Sequence, residues 1–363
     1  MKKLLSGALI GILSLGLLTG CSGTGDSGEA GGSSDASGDS INAGVFYYNY
    51  SDVYISSVRS HVDTLLEDAG IAYQNYDGAG NQATQVDQIN TAIANGVDLL
   101  VVNAVEVESM DIANIAKDAG VPIIFFNREV GDDVINSYEN AAYIGTSSTE
   151  AGHLQGGMVG EYLVENYDAI DLNGDGEISY VMFKGQEGNV EAEGRTQFGV
   201  EDADAVLEKA GKPKLKFYDP NNAAKYLVDQ GGNWSAQAAT DYMNVILAEY
   251  SENNNNMIEL VIANNDGMAE GAISSLQSVG FNKGDEKAIP VFGVDATDSA
   301  KQLISEKKMT GTIMQDAKAM AQAIVDLSTN IKNGEDIMAN TDDYIVDESA
   351  DKIRVPYSVY KGE

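Results

Sequence analysis

From residue 41 onward, apolar strand patterns and amphipathic helix patterns alternate along the chain almost without interruption. Leu99–Val102 and Ile123–Phe126 are continuous apolar runs, and the helical pattern between them carries Ile112 and Ile115 on one face. Continuous apolar strands are typical of parallel sheets that helices cover on both faces. The alternation therefore predicts an α/β protein.

The same alternation restarts after a short strand at 142–144. A helix over 149–167 and a strand over 178–183 open the second series, which continues to a strand at 311–314 and a helix at 317–332. An extended segment over 353–360 ends the chain. A length of 363 residues suits two domains. The predicted fold class is α/β, with two doubly wound, mainly parallel-sheet domains.

The charge balance and the absence of catalytic motifs exclude several functions. The 22 basic and 56 acidic residues give a net charge of −34, which argues against binding nucleic acid or anionic lipid through charge. The sequence has no P-loop lysine, no G-x-S-x-G nucleophile motif and no H-E-x-x-H zinc motif. The chain is therefore predicted not to be an enzyme.

The N-terminus has the features of a targeting segment. Lys2 and Lys3 precede an apolar run over 4–18, and the segment closes on Leu-Thr-Gly before Cys21, which resembles the lipobox of bacterial lipoproteins. Cys21 is the only cysteine, so lipid attachment is its predicted role; an ordinary signal peptide with a chance cysteine is the alternative.

The segment that follows Cys21 is poor in apolar residues. Residues 22–40 hold six Gly and six Ser among 19 positions and cannot form a core. We therefore predict a signal peptide over 1–20, a lipidated cysteine with a flexible tether over 21–40, and an extracytoplasmic body anchored to the cell membrane.

Residues 171–179 read DLNGDGEIS and match the first nine positions of an EF-hand calcium loop. Side-chain oxygens occupy positions 1, 3 and 5, and a glycine occupies position 6. Position 12, where an EF-hand has its bidentate glutamate, is Met182. A calcium site here needs a carboxylate from elsewhere in the chain; a capped polar turn is the alternative.

Polar residues follow the predicted strands in both series. They are Asp52, Tyr54, Asn127, the loop over 189–195, Asn265, Asp295 and Gln315. Ligands of open parallel sheets bind at the carboxyl ends of the strands. Any one of these residues alone is explained as a loop residue or a helix cap. Together with Trp234, the only tryptophan, the set predicts a cleft for a polyhydroxylated ligand.

At these residues the chain resembles the bacterial galactose/glucose-binding proteins, the substrate-binding components of sugar ABC transporters. The resemblance covers residues 41–363 and rests on the segments YNYSDVYISSVR, IIFFNRE, DLNGDGEISYVMFKG, EAEGR, VIANNDGMAEGA, IPVFGVDA and RVPY. It implies a periplasmic binding protein type I-like fold. The implied domains are 41–145 with 316–353 and 146–315 with 354–363, joined by a hinge of three crossings near 145–147, 314–317 and 352–357.

The resemblance also implies roles for individual residues. The implied sugar site is Asp52, Tyr54, Asn127, Asn189, Glu191, Arg195, Trp234, Asn265, Asp295 and Gln315, with Tyr54 and Trp234 on either side of the ring. The chain departs from the family at Asn189, Glu191 and Gln315, where the family has His, Asp and Asn. Tyr54 stands where Phe is common.

For calcium, the resemblance implies a ligand set that includes the missing carboxylate. The implied ligands are Asp171, Asn173, Asp175, the carbonyl of Glu177, Ser179 and Glu259. Ser179 stands where the family has a longer glutamine.

The expected function is capture of a hexose, glucose or galactose, and its delivery to an ABC permease. One alternative is a sugar sensor that presents its closed form to a chemoreceptor or a histidine kinase, and another is a binder of a related pyranose. A glycosidase would need two carboxylates facing one glycosidic bond. Glu191 and Asp295 are the pair available, and no turnover is expected from them.

Overall fold

The computed structural model describes residues 40–284 and 287–362. The predicted signal peptide, the lipid attachment at Cys21 and the tether through residue 39 lie outside the described residues. Both sheets discussed below belong to one compact unit, Gly38–Glu363. Within the described part of the chain, no helix has the length and apolar character needed to cross a membrane.

The strands of the first sheet come from the first half of the chain and from a short segment near its end. They are β1 Asn42–Tyr47, β2 Ala72–Asp77, β3 Leu99–Val102, β4 Ile123–Phe126, β5 Ala141–Gly145, β12 Ile345–Val346 and β13 Lys352–Arg354. Their spatial order is β12-β13-β5-β4-β3-β1-β2. All described pairs in this sheet are parallel except β12 with β13.

The second sheet is built in the same way. Its strands are β6 Ser179–Lys184, β7 Lys216–Phe217, β8 Leu227–Val228, β9 Leu260–Ala263, β10 Val291–Asp295, β11 Gly311–Gln315 and β14 Tyr357–Tyr360. The order is β14-β11-β10-β9-β6-β7, with β8 also paired to β6. β14 runs antiparallel to β11.

Helices connect the strands in both halves. They are α1 Val53–Asp68, α2 Gln82–Ala94, α3 Met110–Ala119, α4 Asp132–Ile135, α5 Glu150–Ile170, α6 Val190–Lys209, α7 Ala236–Glu249, α8 Asp266–Ser278, α9 Asp298–Ser305 and α10 Ala317–Lys332. The predicted alternation of strands and helices is confirmed, and the α/β fold class with it.

Each sheet has a core on both faces. In β1, Val45 and Tyr47 pack on one face with residues of α1 and α10, while Phe46 packs on the other with α2 and α3. The second sheet separates two clusters in the same way. Successive strand side chains point to opposite faces, so a strand covered on both sides must be apolar throughout. This is the physical reason for the continuous apolar runs.

Three segments of the described chain pass from one lobe to the other, where a lobe is a sheet with its helices. The first follows Gly145, the second follows Gln315, and the third joins β13 to β14. The extended segment predicted over 353–360 falls in two strands, which Val355 and Pro356 divide between the two sheets, at the crossing implied near 352–357. Proline has no N–H to donate to a strand ladder, which suits it to a crossing.

Candidate functional site

A cavity lies between the two lobes at the carboxyl ends of their strands. Its lining is Tyr48, Asp52, Tyr54, Asn127, Arg128, Asn189, Glu191, Arg195, Trp234, Asn265, Asp295 and Gln315. All ten residues of the predicted sugar site are in this set. They come from segments up to 263 residues apart, and the parallel strands bring them to one edge of each sheet.

Helix caps position three of the lining side chains. Asp52, Asn189 and Asn265 are the N-caps of α1, α6 and α8. In each, the side-chain Oδ1 accepts a hydrogen bond from the backbone amide three residues later, at 2.9, 3.0 and 2.9 Å respectively. These bonds satisfy amide groups that have no partner inside the helix. The same bonds hold each capping side chain at the cavity, and the start of its helix faces the cavity as well.

Tyr48 and Arg128 line the cavity although the sequence analysis did not select them. The Tyr48 hydroxyl donates to Asp52 Oδ2 at 2.6 Å, and the Arg128 guanidinium lies 4.6 Å from the Tyr48 ring centroid. Burial raises the pKa of Asp52, and the hydrogen bond from Tyr48 acts in the opposite direction. Tyr48 directly follows β1, and Arg128 comes two residues after β4. A position just past the end of a strand is the signal that would have found both.

Arg128 connects the lobes. Its Nη2 donates to the Val105 carbonyl within its own lobe and to Gln186 Oε1 of the other lobe, both at 3.0 Å. Next to it, the backbone amide of Glu129 donates to Glu191 Oε1 across the cleft at 3.4 Å. Contacts between the two lobes therefore close the cavity on this side, one between side chains and one from a backbone amide to a side chain.

Arg195 is the central cation of the second lobe. Its guanidinium donates to the Asn264 carbonyl and the Tyr357 hydroxyl, each at 2.8 Å, and to Gln315 Oε1 at 3.3 Å. Nη1 lies 3.9 Å from Asp295 Oδ1. Tyr357 belongs to β14, so the last strand of the chain helps to hold the arginine in place.

Two buried carboxylates lie at the end of β10. Asp295 ends the strand with a φ of 123°, and Asp266, at the start of α8, accepts from Thr312 Oγ1 at 2.6 Å and from the Thr297 amide at 2.8 Å. Burial raises the pKa of Asp295; Arg195 opposes the shift and the nearby Asp266 adds to it. Burial likewise raises the pKa of Asp266 to about 7.

Trp234 contributes an aromatic face from the second lobe. Its backbone has a φ of 55°, and its carbonyl accepts from Asn265 Nδ2 at 3.1 Å. The indole lies against Gly185, where any Cβ would overlap the ring, and the Arg195 guanidinium is 5.5 Å from the ring centroid. Tyr54 lines the cavity from the first lobe. That these two rings enclose a sugar remains a prediction.

Three buried polar atoms at the cavity have no hydrogen-bond partner among the described residues. They are Glu191 Oε2, Arg128 Nε and Arg195 Nε. The residues are only 7%, 7% and 4% exposed, so bulk water does not compensate them. Buried polar groups are almost always paired, and an unpaired one is costly. The cavity thus offers one acceptor and two donors to a ligand.

The predicted calcium loop is folded around its own carboxylates. Asp171 accepts from the backbone amides of Gly174, Asp175 and Gly176 at 2.8 to 3.1 Å. Glu259 Oε1 accepts from the Leu172 amide at 2.8 Å, so the glutamate does lie at the loop.

The second oxygen of Glu259 binds the same stretch. Glu259 Oε2 accepts from the amide and the hydroxyl of Ser179, at 2.8 and 3.0 Å. The donor set is all oxygen, which fits a hard cation. Across residues 40–284 and 287–362, however, no three His, Cys, Asp or Glu side chains converge as metal ligands. Calcium binding stays a prediction.

Comparison with known proteins assigns the family. The model of the periplasmic binding protein domain matches residues 43–336. A D-galactose/methyl-galactoside binding periplasmic protein of Haemophilus influenzae is 34% identical over 316 residues, which is 86% of this chain and 87% of the relative.

Solved structures show the same fold. An ABC transporter solute-binding protein of Bacillus halodurans with bound myo-inositol aligns with a TM-score of 0.67 at 24% identity, covering 90% of this chain and 96% of the other. One of Clostridium phytofermentans with bound β-D-glucose also has a TM-score of 0.67, at 20% identity, covering 88% of this chain and 94% of the other.

These matches agree with the two-sheet architecture and with the prediction that the chain is not an enzyme, since the family consists of binding proteins. The family match spans most of the chain, and the relative from Haemophilus is similar over nearly the same part. The chain belongs to the periplasmic binding protein domain family, with the type I-like fold of the solute-binding proteins of ABC transporters.

Proposed function

We propose that this protein captures a hexose, glucose or galactose, in the cavity between its lobes and delivers it to an ABC permease outside the cytoplasm. The observation that carries the proposal is the set of unpaired buried atoms: Glu191 Oε2, Arg128 Nε and Arg195 Nε all lie at one cavity. The named ligand of the Haemophilus relative, D-galactose, supports the choice of a hexose.

The chemistry of the lining suits a neutral polyol. Each sugar hydroxyl both donates and accepts, so carboxylates such as Glu191 and donors such as Arg195 can be paired by adjacent hydroxyls of one ring. The faces of Tyr54 and Trp234 match the C–H faces of a pyranose. Asn189 is the N-cap of α6, so its oxygen is committed to an amide and its Nδ2 remains for the ligand.

Closure of the lobes would produce the form of the protein that the permease recognises. A sugar that contacts both lobes favours the closed form by its higher affinity for that form. A sensor that presents the same closed form to a chemoreceptor or histidine kinase would use the same cavity. Loss of hexose uptake after deletion of the gene distinguishes transport from sensing alone.

Isothermal titration of the protein with a panel of hexoses, pentoses and cyclitols tests the proposal. We expect glucose or galactose to bind, Asp52→Ala to weaken it about 5- to 150-fold because a buried polar partner is lost, and Trp234→Ala to weaken it as well. Asp87→Ala, which removes a carboxylate from the exposed face of α2, should leave the affinity unchanged. Absence of hexose binding by the unaltered protein, or indifference of both site variants, would refute the proposed function.

We also propose a structural calcium ion held by Asp171, Asn173, Asp175, the Glu177 carbonyl, Ser179 and Glu259. A bound ion stabilises the folded chain only, by about 2.7 kcal/mol when its concentration is a hundred times Kd. EGTA should therefore lower the melting temperature of the unaltered protein and of Glu249→Gln, an exposed control on α7. Glu259→Gln should melt lower and ignore EGTA. If EGTA leaves the melting temperature of all three proteins unchanged, and the three melt at the same temperature, the proposal of a bound calcium ion is refuted.

The membrane anchor is proposed from Cys21 alone. Lipid attached to this residue would keep the extracytoplasmic body at the membrane. We expect Cys21→Ser to release the protein from the membrane fraction, and fractionation of cells measures this. Equal release of the unaltered protein would show that no anchor is present.

A further inference from the structure

The loop over residues 229–235 joins β8 to α7 and carries Trp234. It starts beside β6, where the Asp229 amide donates to the Lys184 carbonyl at 2.9 Å and continues the pairing of β8 with β6. Gly185 is the next residue after β6, and the indole of Trp234 lies against it. The loop therefore leaves the sheet at the edge of the cavity and brings the indole back to that edge.

Trp234 has a backbone conformation that its side chain does not favour. Its φ of 55° lies in the left-handed region, where bulky residues are rare because Cβ approaches the following carbonyl oxygen. The loop also has a left-handed glycine, Gly232 with a φ of 64°, which has no Cβ to bring into contact. Contacts from other residues must therefore hold the backbone of Trp234 in place.

Asp229 binds the residues on both sides of Trp234. Its Oδ2 accepts from the amide and the hydroxyl of Ser235, at 3.0 and 2.8 Å. Its Oδ1 accepts from the Gly231 amide at 2.9 Å, and its carbonyl accepts from the Gly232 amide at the same distance. Asp229 is only 6% exposed, so little water competes for its oxygens. One buried carboxylate thus ties the loop together.

The peptide group between Trp234 and Ser235 is bonded at both of its polar atoms. Its carbonyl, from Trp234, accepts from Asn265 Nδ2 at 3.1 Å, and its amide, from Ser235, donates to Asp229. A peptide group is planar, so two bonds in opposite directions set its orientation and, through Cα, the direction of the indole. The Ser235 hydroxyl also caps α7, which ties the same point to the helix.

The indole that is held in this way forms a wall of the cavity, whereas Asp229 is not among the residues that line it. Trp234 is half-buried, and the Arg195 guanidinium is 5.5 Å from its ring centroid. Any effect of Asp229 on a ligand must therefore pass through the loop that it organises.

We propose that Asp229 is a positioning residue, which holds the Trp234 indole in its binding orientation before the sugar arrives. This inference rests on the proposed function, since the ligand is the hexose bound by the cavity. Without the carboxylate, only a fraction of the molecules has the indole in place, and the apparent affinity falls by that fraction. The association rate falls with it, while release from the formed complex stays the same.

A double-mutant cycle measured by isothermal titration with glucose and galactose tests the proposal. Asp229→Ala should weaken hexose binding about tenfold, which corresponds to the indole being in place in about one molecule in ten. In protein that already carries Trp234→Ala, the same change should alter the affinity by less than about twofold, because no indole remains to be positioned. Asp229→Asn keeps one acceptor oxygen and should show the same pattern with a smaller loss, also where Asp229→Ala does not fold.

Fluorescence gives a second readout, because Trp234 is the only tryptophan. Before sugar is added, acrylamide should quench the indole of Asp229→Ala and Asp229→Asn more strongly than that of the unaltered protein. In stopped-flow measurements the association rate of Asp229→Ala should fall about tenfold, and its release rate should change by less than about twofold. A merely structural residue would lower the melting temperature without producing this division between the two rates.

Asp219→Ala is the matched control. Asp219 Oδ1 accepts from the Asn221 amide at 2.9 Å in another loop of the same lobe, between β7 and β8, which carries no residue of the cavity. The variant removes a carboxylate that organises a loop without reaching Trp234. It should change neither the quenching nor the affinity, and melting curves establish that each variant is folded.

The possible failures are distinct. If the unaltered protein binds no hexose, the proposed function falls, and acrylamide quenching still decides whether Asp229 holds the indole. If both Asp229 variants leave quenching and affinity unchanged, Asp229 has only a structural role and the inference is refuted. If Asp229→Ala weakens binding equally with and without Trp234, it acts through another group, and the inference is refuted while the proposed function stands.

Discussion

At the scale of single residues, several side chains at the cavity have two roles. Asp52, Asn189 and Asn265 each cap a helix with one oxygen while they face the cavity. Replacing such a residue by alanine removes a cap, which costs about 1 kcal/mol, as well as a ligand contact. Asparagine at position 52 keeps the cap. Comparison of Asp52→Asn with Asp52→Ala therefore separates the two effects.

The buried carboxyl of Asp266 makes stability depend on pH. Burial raises its pKa to about 7 in the folded protein, whereas an unfolded aspartate titrates near about 3.9. Between these values the folded state binds more protons than the unfolded state. The contribution of Asp266 to the free energy of unfolding is therefore highest below the pKa of the unfolded state, and it falls as the pH rises toward 7. We expect the melting temperature to fall between about pH 4 and pH 7 and to level off above pH 7.

Two variants check the assignment to Asp266. Asp266→Asn cannot ionise and should flatten the pH profile, while Asp87→Asn on the exposed face of α2 should leave the slope as it is. If the melting temperature of Asp266→Asn depends on pH as steeply as that of the unaltered protein, other acidic groups cause the dependence. Asp295 would be examined first, because it is buried beside Asp266.

At the scale of elements, the packing of α5 on α6 positions two of the cavity residues that the second lobe supplies, Glu191 and Arg195. Gly152, Gly156 and Gly160 recur every four residues on the face of α5 that meets α6. A Cβ at Gly156 would overlap the carbonyl of Phe198 in α6. Glu191 and Arg195 are on the first turns of α6, so a shift of this helix moves both.

Gly156→Ala should destabilise the protein by about 1–3 kcal/mol, because the two backbones must separate, and should also weaken hexose binding. Gly157→Ala is the control: a Cβ there meets nothing within 4 Å, and alanine favours a helix. Its stability should be equal or slightly higher. Chemical unfolding and titration measure both quantities, and equal stability of the two variants would show that α5 and α6 adjust to the extra carbon.

At the scale of the whole molecule, the bond between Arg128 and Gln186 joins the lobes and is lost when they separate. Gln186→Ala should speed release of the hexose, by about fivefold for one hydrogen bond of about 1 kcal/mol. Stopped-flow measurement of Trp234 fluorescence reads the rate, since Trp234 is the only tryptophan. The matched control is Gln197→Ala, since among the described residues the Gln197 side chain bonds only to Glu201 on its own helix.

The rates of hexose association and release by Gln186→Ala show whether the bond between Arg128 and Gln186 holds the lobes together. A faster release in Gln186→Ala with an unchanged association rate would show that the bond acts after the sugar has entered. If both variants release the hexose at the rate of the unaltered protein, the contact between Arg128 and Gln186 does not hold the closed form.

Much of the molecule was predictable because the relevant forces act between neighbours in the sequence. Burial on both faces requires apolar strands such as Ile123–Phe126, and a helix start requires a cap such as Asn265. Parallel strands place all their carboxyl ends at one edge. The sequence therefore determined the α/β class and the alternation of elements, and the resemblance that it carries identified ten of the twelve residues that line the cavity.

Tertiary structure decided what depends on distant segments meeting. Only the packed lobes show that Arg128 reaches Gln186 and that Tyr357 of β14 supports Arg195. The unpaired atoms at the cavity also depend on distant segments meeting. Hydrogen bonding and burial of a side chain are set by whatever residues surround it in space, and a local pattern in the sequence contains no record of those residues.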